Sequence, residues 1–253
     1  MDPLLDFTGK VAVITGAAQG FGKLLAEELA KRGAKLVISD INEAGVHQVA
    51  DAIAATGAEV VAMKCDVSKN ESCKAMVDTA IEYFGRVDIG VNNAGIAHEF
   101  MPLHHIDESI MDSQFAINVK GVQFGMRHQI QQMLKQGEGA ILNVSSMAGL
   151  GGAARGSAYA MAKHAVIGLT KTGAVEYGRE NIRINAICPF FTLTPMVTNF
   201  ADEEKQKKMA RGAPMNRLGE PKEIVAVMLM MLSPVNTYMT GQCIAVDGGV
   251  SAF

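Results

Sequence analysis

Tryptophan is absent from this 253-residue sequence, and cysteine is scarce. The four cysteines, Cys65, Cys73, Cys188 and Cys243, form no C-x-x-C pair and have no histidine partner at zinc-ligand spacing. The spacing favours small buried hydrophobic residues in a reducing compartment over a metal site.

Long apolar runs and an excess of basic residues are also missing. No 18 uncharged apolar residues follow one another, and the first residues lack the basic and apolar regions of a secretory signal. A net charge of −3 gives no electrostatic footprint for nucleic acid or an anionic membrane. The one basic cluster is interleaved with acidic residues and is interpreted as a solvated helix face: Lys205, Lys207, Lys208 and Arg211 with Asp202, Glu203 and Glu204. We expect a cytoplasmic protein without nucleic-acid or membrane partners.

What the sequence contains is an alternation of short apolar runs and longer amphipathic stretches, with 49% hydrophobic and 19% charged residues, which excludes a disordered chain. Seven strands are predicted, at 10–15, 35–39, 59–64, 88–91, 140–144, 183–187 and 243–246. Six helices are predicted, at 20–32, 43–56, 69–84, 107–135, 157–178 and 221–232. This order predicts an α/β fold of the Rossmann type, a doubly wound domain with a parallel sheet of about seven strands and helices on both faces.

No repeat, low-complexity tract or linker-like change of composition divides the chain. We therefore expect a single domain over residues 1–253. Residues 190–219 have no strong periodic pattern and include Pro195 and Pro214. A segment of that length in a compact domain is usually a lid or binding loop, so we expect a substrate lid there, with 195–212 mobile until substrate binds.

A glycine-rich turn joins the first predicted strand to the first helix. Gly16, Gly20 and Gly22 are spaced G-x-x-x-G-x-G rather than G-x-G-x-x-G. Backbone amides at a helix N-terminus bind pyrophosphate, and glycines let the chain approach it closely. The turn therefore predicts a dinucleotide site, and a merely tight turn is the alternative.

Asp40 follows the second predicted strand, where a carboxylate accepts hydrogen bonds from the adenosine ribose and repels a 2′-phosphate. Neither Ile41 nor Gln19 offers the positive charge that a phosphate needs. These residues favour NAD over NADP. Capping of the following helix by Asp40 is the alternative.

Tyr159 and Lys163 lie four residues apart in a predicted helix, which places them on one face. A lysine ammonium beside a phenol favours the phenolate and lowers the pKa of the phenol. Ser146, at the end of the fifth strand, brings a hydroxyl to the same carboxyl edge of the sheet, where ligands bind in open α/β folds. A structural pair on a helix face is the alternative for Tyr159 and Lys163.

Over residues 9–249 the chain resembles the short-chain dehydrogenase/reductase family in its compact form. The matching elements occur in family order: the turn T-G-A-A-Q-G-F-G at 15–22, Asp40, Asp66-Val67, Asn92-Asn93-Ala94-Gly95, Asn118, Ser145-Ser146, Tyr159 with Lys163, Asn185, and Asp247-Gly248-Gly249. The resemblance implies hydride exchange with NAD(H) between a secondary alcohol and its ketone.

The resemblance also implies a role for each matching residue. Tyr159 is the general acid in ketone reduction and the base in alcohol oxidation, Lys163 lowers the pKa of Tyr159, and Ser146 orients the substrate oxygen. Asn118 holds a water that relays protons from Lys163 to solvent. The residues implied to contact the coenzyme are Gly16, Gln19, Gly20, Phe21, Gly22, Asp40, Ile41, Asp66, Val67, Asn93, Ala94, Gly95, Tyr159, Lys163, Pro189, Thr192 and Thr194.

The expected substrate site is largely apolar, which favours a small hydrophobic alcohol or ketone. By family position its walls, together with Ser146 and Tyr159, are Ala97, His98, Met147, Gly149, Gly152, Phe190, Phe191, Met196 and Val197. Phe190 departs from the family, in which glycine usually follows Cys188-Pro189. We interpret Phe190 and Phe191 as narrowing the site, with simple packing as the alternative. A homotetramer is the implied assembly, with a dimer next.

Two other functions stay open at this point. An NADPH-dependent 3-ketoacyl-carrier reductase shares the fold and the Asn-Ser-Tyr-Lys set, although Asp40 argues against NADPH. A dinucleotide-binding sensor that has lost its chemistry is the non-catalytic alternative, because fold alone does not establish activity.

Overall fold

The computed structural model describes residues 2–252, and its centre is one sheet of seven parallel strands. The strands are β1 Val11–Thr15, β2 Lys35–Asp40, β3 Val60–Lys64, β4 Ile89–Asn92, β5 Gly139–Val144, β6 Ile182–Pro189 and β7 Cys243–Val246. Their order in the sheet is β3-β2-β1-β4-β5-β6-β7. The predicted doubly wound Rossmann-type fold is confirmed.

Helices cover both faces of this sheet. They are α1 Gly20–Ala30, α2 Glu43–Ala54, α3 Asn70–Phe84, α4 Glu108–Gln114, α5 Gly121–Gln136, α6 Ser157–Tyr177, α7 Pro195–Thr198, α8 Glu203–Ala210 and α9 Pro221–Leu232. Helices α1, α2 and α9 share one apolar core with the sheet, and α3, α5 and α6 share the other. Alternate residues of β1 point to opposite cores, Ala12 and Ile14 to the first and Val11 and Val13 to the second.

The predicted helix 107–135 is wrong as a continuous α-helix. Residues Phe115–Lys120 form a π-helical segment between α4 and α5. A π-helix carries no sequence signature of its own and occurs frequently at functional sites. The remaining predicted elements keep their identity, with ends that are unchanged or shifted by at most two residues.

The segment 190–219 is more regular than its sequence pattern indicates. It contains α7 and α8, and its two ends are hydrogen-bonded together, Leu193 N to Gly219 O at 2.9 Å and Gly219 N to Phe191 O at 3.0 Å. Helix α8 has no buried residue, which confirms the basic cluster as a solvated face. Within residues 2–252, none of the helices is long and apolar enough to cross a membrane.

From β1 the chain adds strands toward one edge of the sheet, and from β4 it adds them toward the other edge. The site lies at this crossing point between β1 and β4. Connections from these two strands leave the carboxyl edge toward opposite faces, which opens a crevice there. Beneath the crevice, Asn92 donates to Asn143 Oδ1 at 2.9 Å and exchanges two hydrogen bonds with Gln129. These buried amides link β4, β5 and α5, so the strands that carry the site residues are held in fixed register.

Candidate active site

The glycine turn after β1 leaves the N-terminus of α1 open. Gly16 and Gly20 adopt φ of +68° and +57°, a region that side chains rarely enter. A Cβ on Gly22 would lie 2.3 Å from Gly16 O, so the first turn of α1 packs directly on the loop. Gln19 is the N-cap, and no side chain caps the helix. The open amides and the close approach of the backbone fit a pyrophosphate.

Asn93 supports this turn from β4. Its Nδ2 donates to Thr15 O and Gly16 O, both at 2.9 Å, and its backbone N donates to Thr15 Oγ1 at 3.0 Å. Ala94 N donates to the same hydroxyl at 3.1 Å. The loops after β1 and β4 are thereby tied together at the crossing point.

Asp40 ends β2 beside the turn, and its two carboxylate oxygens accept hydrogen bonds from Ala18 N at 3.0 Å and Asn42 N at 2.9 Å. Helix α2 is capped by Asn42, whose Oδ1 accepts from Gly45 N at 3.1 Å. The capping alternative for Asp40 is therefore wrong. Each carboxylate oxygen keeps a lone pair that can accept a further hydrogen bond, and Ile41 beside it is 62% exposed.

Asp66 and Val67 follow β3 at the same edge of the sheet. Asp66 Oδ1 accepts from Ser68 N at 3.0 Å and from Ser68 Oγ at 2.7 Å. Val67 is buried, and a Cβ on Gly121 would lie 2.8 Å from Val67 Cγ2. The second carboxylate oxygen of Asp66 remains able to accept a further hydrogen bond.

The catalytic candidates converge on the other side of the crossing. Lys163 Nζ donates to Val144 O at 2.9 Å, at the end of β5, and lies 5.5 Å from the centre of the Tyr159 ring. Ser146 Oγ accepts from Ala148 N at 3.1 Å, so its own hydrogen can be donated to a substrate oxygen. The structure thus brings together the three side chains that the sequence separates by up to 17 positions.

Burial controls the protonation of this pair. It raises the pKa of the Tyr159 phenol above its usual value, although contact with Ser146 opposes that shift. Burial also lowers the pKa of the Lys163 ammonium to about 8. The expected lowering of the Tyr159 pKa is not found in this arrangement, because loss of solvation outweighs the opposing hydrogen bond with Ser146.

Asn118 lies in the π-helical segment and is fully buried. Its Nδ2 donates to Ile96 O at 2.8 Å and to Gln114 Oε1 at 2.7 Å, while its Oδ1 accepts from Ile96 N at 3.0 Å. The side chain therefore fixes the loop after β4, and the water relay stays a prediction. Sequence reasoning missed Gln114, although its i,i+4 spacing to Asn118 is a usable signal.

The residues expected around the nicotinamide follow β6. Pro189 ends the strand, Thr192 Oγ1 donates to Phe190 O at 2.9 Å, and a Cβ on Gly20 would lie 3.8 Å from Thr194 Cβ. Thr194 therefore adjoins the glycine turn. Both threonines are buried.

The predicted substrate walls divide into two groups. Ala97, Gly152 and Met196 are exposed around the crevice, and Met147 and His98 are half-buried, with His98 Nδ1 2.7 Å from Glu99 O. Three others are used in packing. Gly149 packs on Lys163, Phe190 packs toward Gly212, and Val197 is buried with Ala201 and Leu218, which argues against Val197 as a substrate wall.

The site combines the open N-terminus of α1 with a Tyr-Lys pair at the carboxyl edge of a doubly wound sheet. This combination defines a dinucleotide-binding oxidoreductase. A family model described as enoyl-(acyl carrier protein) reductase matches residues 16–251. With the relatives that follow, this match shows that the chain belongs to the short-chain dehydrogenase/reductase family.

Three curated relatives align over nearly the full chain. Levodione reductase from Leifsonia aquatica is 39% identical, covering 99% of this chain and 97% of its own. Cyclohexanol dehydrogenase from Acinetobacter sp. (strain SE19) is 37% identical, covering 97% of this chain and 96% of its own. Cis-4-hydroxycyclohexanecarboxylate dehydrogenase from Sinomonas cyclohexanicum is 38% identical, covering 97% of this chain and 98% of its own.

Solved structures agree with the fold. A levodione reductase structure has a TM-score of 0.94 at 38% identity, covering 97% of this chain and 99% of its own. A 7α-hydroxysteroid dehydrogenase complexed with NADH and 7-oxo glycochenodeoxycholic acid has a TM-score of 0.93 at 34% identity, covering 98% of this chain and 97% of its own. A 3-ketoacyl-(acyl-carrier-protein) reductase from Brucella melitensis complexed with NADH has a TM-score of 0.90 at 35% identity, covering 97% of this chain and 100% of its own.

Gly22→Ala tests the close packing of the glycine turn. The added methyl would meet Gly16 O at 2.3 Å and Asn93 Nδ2 at 2.6 Å, so the loop must shift. We expect NADH affinity, measured by fluorescence titration, to fall at least about tenfold, with a loss of roughly 1–3 kcal/mol in the free energy of unfolding.

Gly178→Ala is the matched control, because a Cβ there meets nothing within 4 Å and φ is −60°. Undiminished NADH binding by Gly22→Ala would contradict the assignment of this turn to the pyrophosphate.

Proposed function

We propose that this chain is an NAD(H)-dependent alcohol dehydrogenase or ketone reductase. It interconverts a small hydrophobic secondary alcohol and its ketone, with Tyr159 as the general acid and base. The convergence of Ser146, Tyr159 and Lys163 on the crevice beside the open N-terminus of α1 carries this proposal. The names of two relatives contain a hydroxylated cyclohexane ring, which supports a cyclic alcohol as substrate.

The residues at the crevice fit a nicotinamide dinucleotide from one end to the other. The turn from Gly16 to Gly22, with Gln19 and Phe21, would hold the pyrophosphate. Asp40 and Ile41 would adjoin the adenosine ribose, and Asp66 and Val67 the adenine. Asn93, Ala94 and Gly95 would support the central part, and Pro189, Thr192 and Thr194 would adjoin the carboxamide. When bound, the dinucleotide supplies or accepts the hydride at its nicotinamide ring.

Proton transfer belongs to the protein. In the reductive direction, the Tyr159 phenol gives its proton to the ketone oxygen, to which Ser146 donates a second hydrogen bond. In the oxidative direction, the Tyr159 phenolate accepts the proton of the alcohol. Because the pKa of Lys163 is about 8, its side chain is an ammonium at neutral pH. This positive charge would stabilise the phenolate that Tyr159 becomes when it gives up its proton.

The segment 190–219 would act as the substrate lid of a single domain spanning 1–253. Its ends are paired near Thr192 and Gly219, and Thr194, the N-cap of α7, adjoins the glycine turn. We place the protein in the cytoplasm, since all four cysteines are free thiols, and we assign it a homotetramer by family likeness.

An NADPH-dependent 3-ketoacyl-carrier reductase is the second candidate. The likeness to a solved 3-ketoacyl-(acyl-carrier-protein) reductase favours its ketoacyl substrate, although that structure holds NADH rather than NADPH. The carboxylate of Asp40, which would face a 2′-phosphate, opposes it.

Tyr159→Phe tests the proposed chemistry. The variant removes one hydroxyl and keeps the ring, so NADH should bind within about twofold of the parent. We expect turnover of ketone to fall by at least about 10²-fold, because the proton donor is lost.

Tyr83→Phe is the control, since the Tyr83 side chain is 62% exposed on α3. Equal turnover in Tyr159→Phe and the parent would remove Tyr159 from the mechanism.

Asp40→Asn tests coenzyme choice. The amide keeps the shape and one acceptor oxygen but removes the negative charge that repels a 2′-phosphate. We expect the ratio of kcat/KM for NADP to that for NAD to rise at least about tenfold. Asp51→Ala, an exposed carboxylate on α2, should leave the ratio unchanged. A parent enzyme that prefers NADPH would support the ketoacyl reductase instead.

A further inference from the structure

Four phenylalanine rings form a chain of contacts between the loop after β4 and the segment 190–219. The ring centres of Phe190 and Phe191 lie 4.8 Å apart. Phe191 meets Phe100 edge to face, with centres 6.3 Å apart and planes at 89°. Phe100 also meets Phe200, with centres 5.8 Å apart and planes at 73°. Phe100 is thus the member that joins the rings of the segment 190–219 to the rest of the protein.

The backbone around Phe100 is anchored on both sides. Met101 N donates to Arg155 O at 3.0 Å, and Ile96 exchanges two hydrogen bonds with Asn118. The Phe100 ring lies over Gly156, where a Cβ would be 3.5 Å from Phe100 Cε1. Phe100 is therefore held between the loop after β4 and the start of α6.

This anchoring places Phe100 near the reacting groups. Gly156 precedes α6 by one residue, and Tyr159 lies one helical turn beyond, at about 5 Å between Cα atoms. At the other end of the same loop, a Cβ on Gly95 would be 3.5 Å from Lys163 Nζ. The loop from Gly95 to Phe100 therefore runs from the catalytic lysine to the aromatic cluster.

The opposite side of the cluster belongs to the segment 190–219. Phe191 precedes α7 and Phe200 follows it, so both ends of this short helix contact Phe100. Phe100 and Phe200 remain 43% and 41% exposed, which is a large apolar area for side chains beside a reaction site. Edge-to-face contacts with rings are the geometry that phenylalanine prefers.

We propose that Phe100 determines specificity for a carbocyclic secondary alcohol. Its ring, with Phe191 and Phe200 opposite, forms an apolar wall against the substrate carbocycle while the hydroxyl points to Ser146 and Tyr159. A rigid ring loses little freedom against such a wall, whereas an open chain must give up its rotations. This inference rests on the proposed alcohol dehydrogenase function and adds the residue that selects the ring.

The experiment compares cyclohexanol with 3-hexanol, an open-chain secondary alcohol of six carbons, in the parent, Phe100→Ala and Phe100→Leu, with NAD as coenzyme. For Phe100→Ala we expect kcat/KM for cyclohexanol to fall about tenfold, mainly through KM, and that for 3-hexanol to change less than about threefold. Phe100→Leu keeps apolar bulk without the ring. Its kcat/KM should also fall selectively for cyclohexanol, but by less, so it supplies the readout if Phe100→Ala is unstable.

Leu103→Ala is the matched control, because Leu103 lies three residues beyond Phe100, is 74% exposed and belongs to none of the ring contacts described. It should leave both alcohols unaffected. An equal fall for both alcohols in the Phe100 variants, or no fall in either variant, would overturn this inference alone. A parent that turns over no alcohol at all, while binding NADH, would refute the proposed function instead.

Discussion

The hydrogen bond from the buried Lys163 ammonium to Val144 O is the contact on which the site depends. It joins α6 to the end of β5, and a second bond from Ser145 Oγ to Lys163 O, at 2.9 Å, reinforces the junction. Gly149 is pressed against the same turn, since a Cβ there would lie 2.7 Å from Lys163 O. Ser146 extends from this strand and Tyr159 from this helix, so their separation is set by the junction.

The same burial sets the charges of the site. A lysine removed from water holds its proton less tightly, and a phenol removed from water holds its proton more tightly. At neutral pH the pair is therefore an ammonium and a neutral phenol, the state that a ketone reductase needs before reaction. The oxidative direction requires the phenolate and becomes easier as the pH rises. Hydrogen bonding by Ser146 moderates the cost of forming that phenolate.

The sheet could be predicted from the sequence because its strands are buried on both faces and read as short apolar runs, such as β1 and β2. The glycine turn and Asp40 were recognisable because the chemistry of a dinucleotide restricts both residue type and position. The break at Phe115–Lys120 could not be predicted, since the apolar spacing continues through it. Helix α8 was anticipated only as the solvated face around the basic cluster, because none of its residues is fully buried. The protonation of Tyr159 depends on packing that only the folded chain defines.

A titration of the Lys163 side chain tests the account most directly, because it needs no knowledge of the substrate. The ¹³Cε and ¹⁵Nζ resonances of labelled protein would be followed from pH 6 to 11, with Lys163→Met identifying the signal. The structure predicts a midpoint near pH 8 for Lys163. A midpoint at the ordinary lysine value of about 10.4 would show a solvated amine and contradict the buried junction between β5 and α6.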